Sequence, residues 1–239
     1  DNDPRLPITL RANGAKRDGG TDDTAAIQAV FNSLPNDGTI LLAAGQNCKI
    51  TSTIQIYNRA NITVMGPGVN GNDSTGTPAF TWGGAAGGTM FDLGRVRSSR
   101  FANFTLNPVN ANVSMLVEQN IGGGFLSSDN LFENLNFQGG TNNASYIAID
   151  IDNVSQANNE WHRIIHCAFE GFTQTYGSRV GTVLYLGHAN VKQVIFENNM
   201  VFGFSTGINV NAGSFRAKTN RWFSVDTIYK GSISDAVEV

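Results

Sequence analysis

The sequence predicts an all-β solenoid, in which short strands stack as coils behind a single N-terminal helix. Three observations support this prediction. One amphipathic segment lies near the N-terminus, the 239 residues include 27 glycines and 28 asparagines, and a turn motif recurs at a near-constant period. Glycine and asparagine tolerate left-handed backbone and form tight turns, so the strands between them are expected to be short.

The helix is predicted over residues 21–34, within and after RDGGTDDTAAIQAVF. Thr21 is the expected N-cap, and the next two aspartates would lie in the first turn, where the helix dipole favours negative charge. The apolar residues recur at i, i+3, i+4 and i+7: Ile27, Val30, Phe31 and Leu34. Short β-branched segments follow, so we expect this apolar stripe to cover the end of a stack of strands.

The repeat is visible in four segments that align on one turn residue: Asn103, Asn134, His166 and Asn198. These residues are separated by 31, 32 and 32 positions. Three residues further on, every segment has an apolar residue: Leu106, Phe137, Phe169 and Val201. A second family of strands lies between the segments, and such a period is typical of a solenoid. We expect the aligned turn residues to point inward and to hydrogen-bond one another and the turn backbone.

The opening of the chain carries a more specific signal. ANGAKRDGGTDDTAAIQAVF and the following GTILLAAGQNCKITSTIQI, over residues 12–56, resemble the N-terminal motif of the pectate-lyase-like superfamily. In that family a G-D-G-x-T-D-D-T-x-A-I-Q run precedes a capping helix, and its members include polysaccharide lyases, glucan hydrolases and phage tailspike depolymerases. Ala43 and Ala44 stand where the family commonly has proline.

The resemblance implies a right-handed parallel β-helix with a short N-terminal capping helix. It implies one domain over residues 1–239, with coils over 38–239, a polysaccharide groove on one strand face, and a secreted or surface location. The C-terminal segment shows no cap of its own. Further residues, or other copies of the chain in a trimer or filament, are therefore expected to cover that end.

Composition excludes several other classes. The net charge of −3 and the absence of a Lys/Arg run argue against nucleic acid as a partner. No apolar segment reaches the roughly 20 residues of a membrane-spanning helix, so membrane insertion is not expected. Cys48 and Cys167 lack the spacing of a zinc site and are expected to be buried.

Strand alternation predicts one polar face on the second strand family. Its outward residues are predicted to be Asp92, Glu118, Asp150, Asp152, Tyr185, His188, Asn209 and Asn211. In the segment MLVEQ the sequence does not decide which alternate residues face inward. Glu118 faces outward only if Leu116 does too. A one-residue error in register would turn Asp150 and Asp152 inward.

Two chemistries fit these carboxylates. Inverting glycoside hydrolysis needs an acid and a base roughly 6.5–9.5 Å apart, and outward residues two apart on a strand lie about 6.5–7 Å apart. We therefore predict Asp150, Asp152 and Glu118 as catalytic. Lysis of a uronan would instead need a base and charge neutralisation at the carboxylate, commonly by Ca²⁺ on Asp or Glu oxygens. Arg95, Arg97 or His188 are candidates for that role, and the sequence identifies no set of metal ligands.

The predicted substrate-binding residues are Asp92, Tyr185, His188, Asn209 and Trp161, of which the tryptophan would stack on a sugar. The sequence leaves two alternatives open. The acidic face could be ordinary solvated surface, and the chain could be a non-catalytic structural or adhesive subunit of a tail, fibre or surface filament.

Overall fold

The computed structural model describes residues 6–45, 47–68, 79–118, 126–138, 143–152, 159–171, 175, 177–231 and 237–238. Over these residues the chain is an all-β parallel β-helix, as the sequence predicts. Three parallel sheets run along the stack, and each coil contributes a strand to each sheet in turn. Residues 70–78, the first part of a long Gly- and Thr-rich connection over residues 70–88, lie outside the described residues.

Sheets A and B follow chain order along the stack. The strands of sheet A are Ile8–Thr9, Thr39–Leu41, Thr63–Met65, Arg100–Ala102, Leu131–Glu133, Arg163–Ile165, Val194–Glu197, Phe215–Lys218 and Val237–Glu238. The strands of sheet B are Asp18–Asp22, Asn47–Ile50, Ala79–Trp82, Thr105–Asn107, Asn136–Gln138, Ala168–Glu170, Met200–Phe202 and Arg221–Phe223.

Sheet C is divided into two rows by a long strand that belongs to both. Row C1 contains Ile54–Ala60, Thr89–Arg97, Val113–Glu118, Ile147–Ile151, Val180–Leu186, Phe204–Val210 and Thr227–Gly231. Row C2 contains Ser127–Ser128, Asn159–Glu160 and Val191–Lys192, and joins row C1 where Ser128 pairs with Arg97.

The core consists of equivalent residues stacked from coil to coil. Leu106, Phe137, Phe169 and Val201 are partners in register, and all four are fully buried, which confirms the predicted apolar column. The rings of Phe137 and Phe169 stack with centroids 4.7 Å apart. Both cysteines are buried and free.

The turn column is oriented differently from the prediction. Asn103, Asn134, His166 and Asn198 all have left-handed backbone, with φ between 49° and 65°. The first two are half-buried and bond each other, Nδ2 of Asn134 to Oδ1 of Asn103 at 2.8 Å, but His166 and Asn198 are exposed. The predicted inward orientation is therefore wrong, because the left-handed turn directs these side chains away from the core.

The inward position is one residue further along the chain. There Asn199, which is 1% exposed, accepts a hydrogen bond from the Cys167 N–H at 2.9 Å. Its Nδ2 group donates to the Ile164 carbonyl and to Asn220 Oδ1. The equivalent residues of the preceding coils are Phe104, Leu135 and Cys167, so in this column the inward amide is Asn199, which bonds Asn220 of the next coil.

The helix spans Thr24–Ser33 and begins three residues later than predicted. Thr21 is not its N-cap. It lies in the strand Asp18–Asp22, and its N–H and hydroxyl donate to the Asp18 carboxylate. Those two bonds, with a third from the Gly20 N–H, lower the pKa of Asp18 to about 2. The predicted apolar stripe is buried: Ile27, Val30, Phe31 and Leu34.

The helix closes the exposed edge of row C1. It packs on the 3₁₀ helix Leu10–Asn13 and on Ile54–Ala60, the strand at that edge. The side chain of Gln28 bonds the edge backbone as a neighbouring strand would. Its Nε2 donates to the Gln55 carbonyl at 2.9 Å, and its Oε1 accepts from the Gln55 N–H at 2.8 Å. The strand edge that would otherwise invite aggregation is thereby satisfied.

Asp23 holds the opening motif together. It is 2% exposed, and its carboxylate accepts from the N–H groups of Lys16 at 2.6 Å and Arg17 at 2.8 Å. Asp23→Asn would present an amide donor to two backbone donors, so we expect the free energy of unfolding to fall by about 1–3 kcal/mol. Urea denaturation would measure this change.

Asp129→Asn is the matched control for that measurement. The Asp129 side chain is exposed and accepts a bond from the Ser128 hydroxyl, so its replacement should change stability by less than about 0.5 kcal/mol. Equal denaturation midpoints for the two variants would contradict the role given to Asp23.

Candidate functional site

The polar face predicted from alternation lies on the outside of row C1. Register pairs connect Asp92, Leu116, Asp150, Tyr185 and Asn209 in one column across five successive coils. The residues on either side of each are buried in the core, so the parity predicted for this strand family is confirmed. Leu116 is the apolar member of the column and lies half-buried on the outside.

A second column runs two residues further along each strand. Tyr57 pairs with Gly94, and Gly94 pairs with Glu118 on the next coil. Asp152 follows on the coil after that, where its N–H bonds the Val117 carbonyl at 3.2 Å. Neighbouring coils are about 4.8 Å apart, so four carboxylates share one small surface: Asp92, Glu118, Asp150 and Asp152.

Asp92 is the most enclosed of the four. It is 8% exposed, Tyr57 donates its hydroxyl to Oδ2, and Oδ1 is buried without a hydrogen-bond partner among the described residues. Burial raises the pKa of Asp92, and the bond from Tyr57 offsets part of that rise. Burial and the same bond also raise the pKa of Tyr57, so its hydroxyl remains a donor.

Glu118 and Asp150 both titrate near neutrality. Burial, followed by the charges of Asp92 and Asp152, raises the pKa of Glu118 to about 7. Burial, followed by the charges of Asp152 and Glu118, raises the pKa of Asp150 to about 7. The Oδ1 atom of Asp150 is buried without a hydrogen-bond partner in the described part of the chain. The face therefore holds carboxyl groups that keep protons at a pH where ordinary carboxyls have lost them.

Tyr185 and Asn209 extend the first column beyond Asp150. Tyr185 is half-buried, and its pKa is raised by burial, then by the charges of Asp152 and Asp150. Asn209 pairs in register with Tyr185 on one side and Lys230 on the other. An aromatic ring, an amide and an amine thus follow the carboxyls along the stack.

His188 and Trp161 lie outside these columns. His188 is in the turn after Leu186, where its Nδ1 accepts a bond from the Asn190 N–H at 3.1 Å. Trp161, 53% exposed with φ of 66°, occupies the turn from row C2 into sheet A. Its role in binding stays a prediction. Trp82, in contrast, is buried and donates its Nε1 hydrogen to the Ala85 carbonyl.

Sequence reasoning missed Tyr57 and Gln55. Gln55 pairs in register with Asp92. Gln55 and Tyr57 line a cleft of about 840 Å³ between the capping helix and row C1. Thr24, Gln28 and Asn32 form the helical side of this cleft. The alternation in the segment Ile54-Gln55-Ile56-Tyr57 could have placed both residues on the polar face.

A buried network holds the strand end that carries Asp152. The Asn159 side chain donates to the carbonyls of Val117 at 2.9 Å and Asp152 at 2.8 Å, and its Oδ1 lies 2.5 Å from His162 Nε2. Burial lowers the pKa of His162 to about 3, so the ring is neutral. Because Asn159 Oδ1 can only accept, the hydrogen of that ring is on Nε2.

Among the described residues, no group of three or more His, Cys, Asp or Glu side chains is placed to hold a metal ion. In the same part of the chain, no helix is long and apolar enough to cross a membrane. A requirement for Ca²⁺ in a lyase reaction remains a sequence-based prediction.

No family model and no curated protein matches the sequence. Among solved structures, the chain is similar to ORF18 of Geobacillus virus E2, with a TM-score of 0.44, 14% identity, and coverage of 98% of this chain and 62% of that one. It is also similar to PfbA, a surface adhesin of Streptococcus pneumoniae, with a TM-score of 0.36, 12% identity, and coverage of 90% and 62%. A third is the A-module of the mannuronan C-5 epimerase AlgE6 of Azotobacter vinelandii, with a TM-score of 0.26, 12% identity, and coverage of 97% and 98%.

The raised pKa of Asp150 predicts a pH-dependent stability. An unfolded aspartate titrates near 3.8, whereas folding raises the pKa of Asp150 to about 7. The stability that comes from keeping this proton is complete below about pH 4 and is lost as the pH rises through about 7. Asp150→Asn stays neutral throughout. We expect its melting temperature, relative to the parent chain, to increase between about pH 4.5 and 8.

Asp129→Asn serves as the control for the same melting curves. A difference between Asp150→Asn and the parent chain that stays constant across this pH range would contradict the raised pKa.

The position of the Asp152 carboxylate depends on Gly187. A Cβ atom at residue 187 would lie 2.5 Å from Oδ1 and 2.6 Å from Cγ of Asp152, too close for either atom to stay in place. Gly187→Ala should move the Asp152 carboxylate away from Asp150, and the pKa of Asp150 should then fall. Carboxyl ¹³C NMR titration would measure the change.

Gly20→Ala is the matched control, because a Cβ atom there meets nothing nearer than 3.7 Å. An unchanged Asp150 titration in Gly187→Ala would mean that the charge of Asp152 does not set that pKa.

Proposed function

We propose that this chain binds an extracellular polysaccharide along row C1 and hydrolyses it with Asp150 and Asp152. The observation that carries the proposal is a carboxyl whose pKa is raised to about 7, followed two residues later by a second carboxyl directly after the end of the same strand, Ile147–Ile151. The resemblance of residues 12–56 to the pectate-lyase-like opening motif supports the same substrate class.

The geometry suits an inverting mechanism. Outward residues two apart on a strand are about 6.5–7 Å apart, within the roughly 6.5–9.5 Å that admits a water between acid and base. Asp150, protonated near neutral pH, donates its proton to the glycosidic oxygen as the bond to the anomeric carbon breaks. Asp152 accepts a proton from the water that attacks this carbon from the opposite side.

The neighbouring residues have supporting roles in this proposal. Burial and the charge of Asp152 keep Asp150 protonated, with a smaller contribution from Glu118 once it ionises, and Gly187 leaves the space that the Asp152 carboxylate occupies. Tyr185, the partner of Asp150 on the next coil, offers a ring face on which a sugar can stack. The cleft lined by Gln55 and Tyr57 would take sugar units at the helical end of the row.

The test is a polysaccharide panel, with and without Ca²⁺, read for new reducing ends and for the ultraviolet absorbance of unsaturated uronates. We expect reducing ends without that absorbance, and a rate that falls above about pH 7 as Asp150 loses its proton. Asp150→Asn and Asp152→Asn should each lower kcat/KM by about 10²- to 10⁴-fold, the range of general acid–base catalysis. Asp129→Asn should not change it.

Other outcomes of this panel each have a meaning. Reducing ends with ultraviolet absorbance would replace hydrolysis by the lyase reaction that the sequence left open. Cleavage that survives both Asn substitutions would remove Asp150 and Asp152 from the mechanism. A folded protein that binds but does not cleave would favour the structural or adhesive alternative.

One observation favours that alternative. On the outside of sheet B, Met200 is 40% exposed and Phe223, the register partner of Phe202, is 47% exposed. Large exposed apolar side chains in one patch are typical of contact surfaces. If the protein forms a discrete oligomer or a filament in solution and cleaves no polysaccharide in the panel, its role would be assembly or adhesion.

A further inference from the structure

A small basic pocket lies directly beside the carboxylate columns, where row C1 meets row C2. It has a volume of about 170 Å³ and is lined by Arg59, Arg95, Arg97 and Asn58, with Leu126 at its rim. Ligand pockets for whole drug-sized molecules are roughly 300–1,000 Å³, so this one suits a single charged substituent.

Backbone conformation brings two of these arginines together. Asn58 and Arg95 lie on adjacent coils, and both have left-handed backbone, with φ of 55° and 56°. Asparagine tolerates that conformation, whereas arginine adopts it at a cost in free energy. The Nη1 group of Arg95 donates to Asn58 Oδ1 at 3.2 Å, which holds the guanidinium at the pocket.

Arg59 is fixed from the other side. Its Nη2 donates to the carbonyls of Phe31 and Asn32 at the end of the capping helix, at 3.2 and 3.0 Å. Its Nη1 donates to the carbonyls of Tyr57 and Asn58. Four carbonyls thus orient a rigid positive charge toward the pocket without neutralising it.

Both guanidiniums lack a carboxylate among the described residues. The Nε hydrogens of Arg59 and Arg95 are buried without a hydrogen-bond partner in that part of the chain. Three other arginines do pair with a carboxylate: Arg100 with Glu133 at 2.6 Å, Arg179 with Asp226 at 2.5 Å and Arg216 with Glu197 at 3.8 Å. Arg17, outside the pocket, also has a buried Nε without such a partner, so the feature particular to Arg59 and Arg95 is that both guanidiniums line one cavity with no carboxylate paired to them among the described residues.

The nearby carboxylates do not supply it. Gly94, the register partner of Glu118, directly precedes Arg95, yet the charges that perturb Glu118 are those of Asp92 and Asp152. Arg95 and Glu118 therefore lie on neighbouring coils without forming an ion pair. A ligand that crosses this boundary would meet both.

We propose that the Arg59–Arg95–Arg97 pocket binds a carboxylate or sulfate substituent, so that the polysaccharide along row C1 is an acidic one. The identity of the ligand as a polysaccharide rests on the proposed function, whereas anion binding at the pocket does not. Arginine suits this role because its always-charged guanidinium donates strong hydrogen bonds to a carboxylate or sulfate. Arg95, which uses only Nη1 within the described residues, would donate from Nη2, and Arg59, whose Nη groups already bond carbonyls, would contribute positive charge.

The first experiment follows the arginine Nε–Hε signals by NMR while glucuronate, or sulfate alone, is added. We expect saturable shifts of the Arg59 and Arg95 signals with at least one anion, and none with neutral glucose. Which anion binds distinguishes a uronic acid from a sulfate ester. Absence of a saturable shift with both anions would overturn the pocket, whatever the polysaccharide panel shows.

The variant for this experiment is Arg95→Asn, which removes the charge and relieves the left-handed backbone. It should be at least as stable as the parent chain, and anion binding should weaken by tenfold or more. Arg163→Asn, at an exposed position on sheet A, is the matched control and should bind normally. Equal anion affinity in Arg95→Asn would also overturn the proposal.

The second experiment compares a uronan with its carboxyl-reduced form, and a sulfated glycan with its desulfated form. Acidic forms should bind at least tenfold more tightly, and Arg95→Asn should remove that preference. Equal binding and cleavage of a neutral form would contradict the proposal that the polysaccharide is acidic, without contradicting the proposed hydrolysis. Anion shifts with no glycan bound or cleaved would overturn the proposed function and leave the pocket standing.

Discussion

The constant register between coils is the constraint on which the rest of this structure depends. Parallel hydrogen bonds hold equivalent residues about 4.8 Å apart along all three sheets, so each side chain meets its own counterpart on the next coil. In the core this is favourable, because Phe137 stacks on Phe169 and each apolar column excludes water. On the outside the same register brings like charges together, as it does for Asp150 and its acidic neighbours.

The stack also leaves the strand Ile54–Ala60 of row C1 with an unpaired edge. The side chains that cover this edge also border the candidate site. Gln28 supplies the missing strand contacts at Gln55, and Arg59 satisfies the last carbonyls of the capping helix. Both side chains line the cleft that leads into row C1. The opening motif is therefore mainly structural. Its aspartates fix the turn and the capping helix, and the helix in turn borders the polar face.

The sequence was sufficient for the period, the buried columns and the outward carboxylates, because each of these follows from a local spacing. It failed where direction depends on a turn. The column of Asn103 points outward because left-handed backbone rotates the side chain, and no spacing reveals this rotation. Thr21 has the residue type of an N-cap, but Asp18 binds it within a strand instead.

The missed parts of the site have a different origin. Tyr57 was within reach of the alternation rule, since it follows Gln55 at the outward spacing. Arg95 and Arg97 were candidates for neutralising a uronate, but their grouping with Arg59 could not be predicted, because Arg59 and Arg95 are 36 residues apart and share one pocket only through two left-handed residues on adjacent coils. The roles of His162 and Asn159 could not be predicted either. Their spacing of three residues does not indicate that their side chains bond each other, or that Asn159 bonds the Asp152 carbonyl.

Unpaired charge on this face is the feature that stability alone does not explain. Asp150 and Glu118 keep protons near neutral pH, while Arg59 and Arg95 keep buried N–H groups without acceptors in the described part of the chain. Ion pairs between these carboxyls and arginines would remove the free-energy cost of the buried carboxyls and that of the unpaired N–H groups. The left-handed backbone of Arg95 adds a further cost in free energy. Groups held in unfavourable states on a rigid scaffold are typical of sites that are completed by a ligand. A glycan with an acidic substituent would complete this one, since its anion would satisfy the arginines while its glycosidic oxygen accepts the proton of Asp150.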